Sequence, residues 1–201
     1  MSITATLKKF FKGNQFTPDG VAELEAKLFH EGDKHLPYLM QFIVLLSLST
    51  VIATYGIIQD STATVIGAML VAPLMTPILA TTAALVMGTL KRVRTSALIV
   101  LGGILLTISI AFIIGFITVQ VISVAGNSQI SARISPNSDD LMVALAAGAI
   151  GAFAYARTDV ADSLPGVAIA IALVPPLAVV GRTLSQGEFG AAWGACLLFI
   201  T

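Results

Sequence analysis

Residues 36–58, 62–88 and 96–121 are three runs without a single charged side chain. Each is long enough to cross a bilayer, since about 20 apolar residues as a helix span the hydrocarbon core. Residues 141–156 form a fourth run, rich in Ala and Gly. Residues 164–180 form a fifth, interrupted by Pro175-Pro176, and residues 191–201 begin a sixth. Only 11% of the 201 residues are charged and 56% are hydrophobic. A soluble domain of this size carries roughly a quarter charged residues. So few charges cannot cover a water-exposed globule, so lipid must be the solvent for much of the chain.

The same composition excludes several function classes. The formal net charge is zero, so no basic field points to nucleic acid. The single cysteine, Cys196, rules out a disulfide framework and a multi-cysteine metal site. His30 and His35 lack metal-ligand spacing, and no nucleophile elbow, phosphate-binding glycine loop or intramembrane Asp dyad occurs. The expectation is a chain that is not an enzyme and that uses no cofactor and no metal.

Residues 1–35 hold much of the charge and are expected outside the bilayer. MSITATLKKFFK lacks the apolar core and cleavage site of a signal peptide, so this start is expected to be retained. Thr17-Pro18 is a helix start, with Thr as cap and Pro in the first turn. Val21, Leu24, Leu28 and Phe29 then recur at helical spacing, opposed by Glu23, Glu25 and Lys27. This amphipathic helix packs on the membrane face or on its own bundle; the alternative is that it recruits a partner. Lys8, Phe10, Phe11 and Lys12 suit lipid headgroups.

Lys and Arg placement sets the orientation. With the N-terminus cytoplasmic, Lys8, Lys9, Lys12, Lys27, Lys34, Lys91, Arg92, Arg94 and Arg157 lie inside, and only Arg133 and Arg182 lie outside. A re-entrant second run would put Lys91, Arg92 and Arg94 outside, so that run is expected to cross. The polar stretch 123–140, with Gly126-Asn127 and Pro136-Asn137 as turn signals, then faces outside.

The second and fifth runs resemble each other. DSTATVIGAMLVAPLM starts at Asp60 and DSLPGVAIAIALVPPLA at Asp162, which sets Ser61 opposite Ser163, Val65 opposite Val167, Ala68 opposite Ala170 and Pro73 opposite Pro175. Gly67 falls opposite Ile169, so the match is uneven. Read as a repeat, it divides residues 36–201 into units 36–121 and 141–201. Three crossings per unit invert the second against the first, as in many secondary transporters. The fold class is all-α: a polytopic transmembrane helix bundle, an inverted 3+3 repeat whose second and fifth helices are broken by proline.

Each proline removes an N–H and displaces the carbonyl four residues back. Pro73 frees Met69, Pro77 frees Pro73, Pro175 frees Ile171 and Pro176 frees Ala172. An unsatisfied carbonyl in hydrocarbon costs several kcal/mol, so each needs a hydroxyl, a water or a cation. One reading is a kink repaired by Thr76 or Thr50. The other is a polar cavity, with small residues Gly67, Ala68 and Ala170 leaving it open. Asp60 and Asp162 each precede a helix, so they serve as N-terminal caps or as carboxylates at a pathway mouth. The residues expected to line a substrate or ion pathway are therefore Asp60, Gly67, Ala68, Pro73, Thr76, Pro77, Asp162, Ala170, Pro175 and Pro176. Ala144, Gly148, Ala152 and Ala156 form a small stripe suited to packing within one subunit, a homo-oligomer seam being the alternative.

GAMLVAPLM and LPGVAIAIALVPPLAVVG, within residues 46–80 and 159–181, resemble the signature stretches of an uncharacterised prokaryotic membrane family, a hydrophobic domain of unknown function. The resemblance covers most of residues 36–201. It implies a multi-pass protein of the plasma membrane with about six helices, the last continuing past Thr201. It implies no activity. The functional expectation rests on the prolines: a transporter or channel for a small ion or solute. The alternative is a membrane scaffold or stress-response component that recruits a partner through its N-terminal helix.

Overall fold

The computed structural model describes residues 25, 26, 28, 29, 32, 35–118, 126–155 and 173–200. The described residues are all helical or connecting, with no strand among them. In chain order the helices are α1 (His35–Ile58), α2 (Thr62–Val71), α3 (Met75–Val86), α4 (Leu90–Ile117), α5 (Ser128–Ser131), α6 (Ser138–Tyr155), α7 (Val174–Ser185) and α8 (Phe189–Ile200).

Two of these, α1 and α4, are long and apolar enough to cross a membrane, and α2 with α3, bent by 50°, could supply a third span. At 1.5 Å per residue α1 is about 36 Å long and α4 about 42 Å. The six expected crossings are thus not all present as single long helices. Residues 141–155 of the fourth run lie within α6, whose first turn carries Asp139 and Asp140. The sixth run yields the 12-residue α8, and much of the fifth lies outside the described residues.

Contacts along the helices fix their relative directions. Gly103 of α4 approaches Phe42 and Leu46 of α1, and one turn on Thr107 meets Thr50. Hence α1 and α4 run the same way. Gly56 of α1 lies against Val65 of α2, while Ser49 reaches back to Ala68, so α2 runs opposite to α1. Gly181 of α7 abuts Ala111 of α4, and one turn later Ser185 abuts Gly115. Thus α7 runs with α4 and against α2. The starts of α1 and α4, at His35, Tyr38, Thr89 and Lys91, line one pocket. The bent pair α2–α3 therefore connects opposite ends of the bundle instead of folding back.

Small residues permit this close approach. The buried face of α4 is Ser96, Gly103, Thr107, Ala111 and Gly115, four of them one turn apart. A Cβ on Gly103 would sit 2.9 Å from Leu74 Cδ2, and one on Gly181 would sit 2.7 Å from Ala111 Cβ. Helix α7 is the centre: every residue from 174 to 183 is buried, and α7 packs against α1, α2, α4 and α8. The outward faces are different. Leu36, Met40, Val44 and Leu48 on α1, and Leu98, Leu101, Leu105 and Phe116 on α4, are all more than half exposed. Soluble monomers rarely expose contiguous apolar patches of this kind. These helices are compatible with a membrane protein.

Candidate functional site

The break between α2 and α3 follows from Pro73. Proline disfavours helical backbone in the residue before it, and Ala72 closes α2 in an extended conformation (φ −67°, ψ 126°). Leu74, 1% exposed, fills the break and rests against Gly103 with Phe42 and Leu46 nearby. Beside it runs a seam of buried hydroxyls. Ser49 donates to the Ala68 carbonyl at 2.7 Å. Thr50 donates to the Leu46 carbonyl in its own helix at 2.7 Å, with the Thr107 hydroxyl 3.5 Å away. Thr54 donates to the Thr50 carbonyl at 2.8 Å.

The cross-helix hydroxyl bond nearest the break comes from Ser49, a residue not among the expected candidates Thr50 and Thr76. Its carbonyl is that of Ala68, next to the Met69 carbonyl that Pro73 was expected to free. Ala68 is fully buried, whereas Gly67 is exposed, with nothing within 4 Å of where its Cβ would lie. These neighbours do not share a face. Thr76 and Pro77 fall in the first turn of α3; Pro77 is buried and its carbonyl accepts the Thr81 hydroxyl at 2.7 Å. Pro175 and Pro176 lie in the first turn of α7, where a missing N–H has no helical partner to lose. Asp162 and Ala170 lie outside the described residues.

One end of the bundle is closed by a clasp. Asp60 has φ +53°, a conformation that Asp and Asn tolerate better than most residues. It does not cap α2: Ser61 is the cap, accepting from the Thr64 amide. Instead the Asp60 carboxylate accepts the Ser128 hydroxyl at 2.7 Å and the Gln129 amide at 3.1 Å. These bonds, the Ser128 hydroxyl foremost, hold its pKa below the ordinary carboxylate value. Asn127, 4% exposed, caps α5 by accepting the Ile130 amide and donates its own amide to the Ile57 carbonyl at 2.7 Å. Gln129 donates to Thr62 at 2.7 Å, and Arg133 donates to the Gln129 carbonyl at 2.7 Å. Burial lowers the Arg133 pKa, but a guanidinium stays charged.

Near this end lies Arg182, 1% exposed, donating to the Gly115 carbonyl at 2.9 Å and to Ser185 at 3.2 Å. Arg182, counted by charge among the outside residues, is a buried residue of α7, accommodated because Gly115 has no side chain.

At the opposite end the described residues enclose a pocket of about 750 Å³ between the starts of α1 and α4 and the first turns of α3. Pro77 and Ala80 form one wall, Leu28, Phe29 and Ile99 add carbon, and Thr89, Lys91, Arg92, Thr95 and Ser96 bring polar and cationic groups. Arg92 pairs with Glu25 at 2.9 Å and lies 4.6 Å from the centre of the Phe29 ring. Leu28 is 6% exposed. These residues of the N-terminal segment are thus docked on the bundle, as its amphipathic pattern allowed; Val21 and Leu24 lie outside the described residues. Pro77 belongs to this pocket, while Asp60 stands in the clasp.

Comparison with known proteins gives a family without a function. The chain is 30% identical over 159 residues to the uncharacterized protein MJ0678 of Methanocaldococcus jannaschii, an alignment covering 79% of this chain and 48% of that protein. The chain thus spans about half the length of the curated relative it matches. No solved structure matches. The family described as domain of unknown function DUF389 matches residues 69–201, which take in the bend at Pro73, the Asn127–Arg133 side of the clasp and the central helix α7. The chain belongs to the DUF389 family.

Proposed function

We propose that this chain is a multi-pass protein of a prokaryotic plasma membrane that moves a small ion or solute. The observation that carries the reading is the interrupted α2–α3 pair, whose break packs against Leu46 and Gly103, about one turn from the buried hydroxyls of Ser49, Thr50 and Thr107. Irregular backbone at membrane depth is tolerated where it is buried in protein or lines a path. The α2–α3 pair around Pro73 runs against α7, which begins at Pro175, and these opposed directions suit two halves of an inverted repeat, in which such breaks flank the transported species. Lys91, Arg92 and Arg94 gather at the end where α1 begins, which favours a cytoplasmic N-terminus. Helix α6, with Gly148 facing open space, offers a face for a second copy. The N-terminal helix as a recruiter of partners is less favoured, because Leu28 and Phe29 already pack against the bundle.

Flux in sealed vesicles tests this. Purified chain should carry protons, sodium, potassium, chloride or phosphate above the rate of empty vesicles. Ser49→Ala should change that rate by uncovering the Ala68 carbonyl, and Ala68→Leu should block it in protein that still inserts. Inserted wild-type protein that moves none of the five would contradict transport.

A further inference from the structure

We propose that the pocket at the starts of α1 and α4 seats the headgroup of an anionic phospholipid, whose acyl chains lie along the exposed apolar faces of α1 and α4. The proposal rests on the membrane part of the functional reading and is independent of transport. Its first support is charge. Lys91 and Arg92 line the pocket, and Arg92 is held in place by Glu25 and Phe29. The second is the start of α4. Thr89 gives no side-chain cap there, its hydroxyl donating to the Ala84 carbonyl instead at 3.3 Å. The first amides of this 28-residue helix therefore lack side-chain capping, and they carry the positive end of its dipole. Thr95 and Ser96 add hydroxyls to the lining, that of Thr95 donating to the Lys91 carbonyl at 3.1 Å.

The third support is the remaining wall and its position. Leu28, Phe29, Pro77, Ala80 and Ile99 are carbon surfaces that a free phosphate would not use. Leu36 and Met40 on α1, and Leu98 and Leu101 on α4, are exposed apolar side chains on the two helices whose starts line the pocket. Cationic groups at the edge of an apolar belt sit where lipid headgroups lie, and basic pockets between helices on the cytoplasmic side suit acidic headgroups. Charge above and carbon below is the pattern of a phospholipid.

The test is native mass spectrometry of the full chain released from vesicles of equal parts phosphatidylglycerol and phosphatidylcholine. Wild-type protein should retain phosphatidylglycerol in preference, and still do so at high salt, where diffuse surface attraction is screened. Lys91→Gln should cut that preference about fivefold. Arg94→Gln, an exposed cation that does not line the pocket, should leave it unchanged. Equal retention of the two lipids overturns the proposal, as does an equal loss in both variants. Displacement of the lipid by millimolar inorganic phosphate would assign the pocket to a free anion instead. A chain that inserts but shows no preference removes this site alone; a chain that stays in water removes the membrane reading as well.

Discussion

The two ends of the bundle solve the same problem in opposite ways. At the clasp end Asp60, Asn127 and Gln129 hold α5 against the α1–α2 turn through a closed set of short hydrogen bonds. At the pocket end the cations and hydroxyls of α4 face a cavity. A ligand meets a closed set of cross-element bonds at one end and a cavity lined by Lys91 and Arg92 at the other. The difference teaches where stability and where binding reside: polar residues at the clasp bond to one another across elements, whereas Lys91 at the pocket lines a cavity with room for a guest.

The largest effect on stability should come from Asn127→Ala. It removes the bond to the Ile57 carbonyl and the cap on the Ile130 amide at a buried position, costing about 2–3 kcal/mol. Thermal unfolding in detergent micelles measures this. A melting shift no larger than that of an exposed substitution would mean the clasp does not hold the fold.

Acid should act on the same end through Asp60. Its pKa is depressed in the folded chain by the Ser128 hydroxyl and the Gln129 amide. The carboxylate therefore contributes stability that is present above its unfolded pKa and lost as pH falls through the folded one. Hydrogen exchange at residues 127–131 should stay slow near neutrality and quicken relative to α4 below the ordinary carboxylate range. Asp60→Asn, still tolerated at positive φ, should flatten that dependence. Acid-independent protection in the wild type would remove Asp60 from the account.

The smallest effect belongs to the pocket. Lys91→Gln should alter stability by no more than about 0.5 kcal/mol, because its side chain is exposed. A large loss would show that Lys91 is part of the fold and would blur the contrast between the ends.

Much of the fold was legible because hydrocarbon leaves the backbone so little choice. The charge-free runs locate α1 and α4, and Pro73 marks the bend to within a residue or two. The sites were less legible, since helix faces need a partner to be told apart. Gly67 and Ala68 looked equivalent as small residues, yet one faces outward and the other is buried. Ala144, Gly148 and Ala152 drew attention at four-residue spacing, but a Cβ on Gly148 would meet nothing, and Ala147 is the buried alanine beside it. The spacing of Gly103, Thr107, Ala111 and Gly115 carried the same signal and is the stripe that takes α1 and α7. The clasp was out of reach: Asp60 and Ser128 are 68 residues apart, and nothing local pairs them.

The central claim is that α1, the bent α2–α3 pair and α4 cross the bilayer with the pocket inside and the clasp outside. Single cysteines in a Cys196→Ser background test it, one replacing exposed Arg94 near the pocket and one replacing exposed Ser135 beyond the clasp. With an impermeant thiol reagent applied to intact cells, position 135 should label at once and position 94 only after the membrane is opened. Labelling of both from outside, or of 94 alone, would contradict the arrangement.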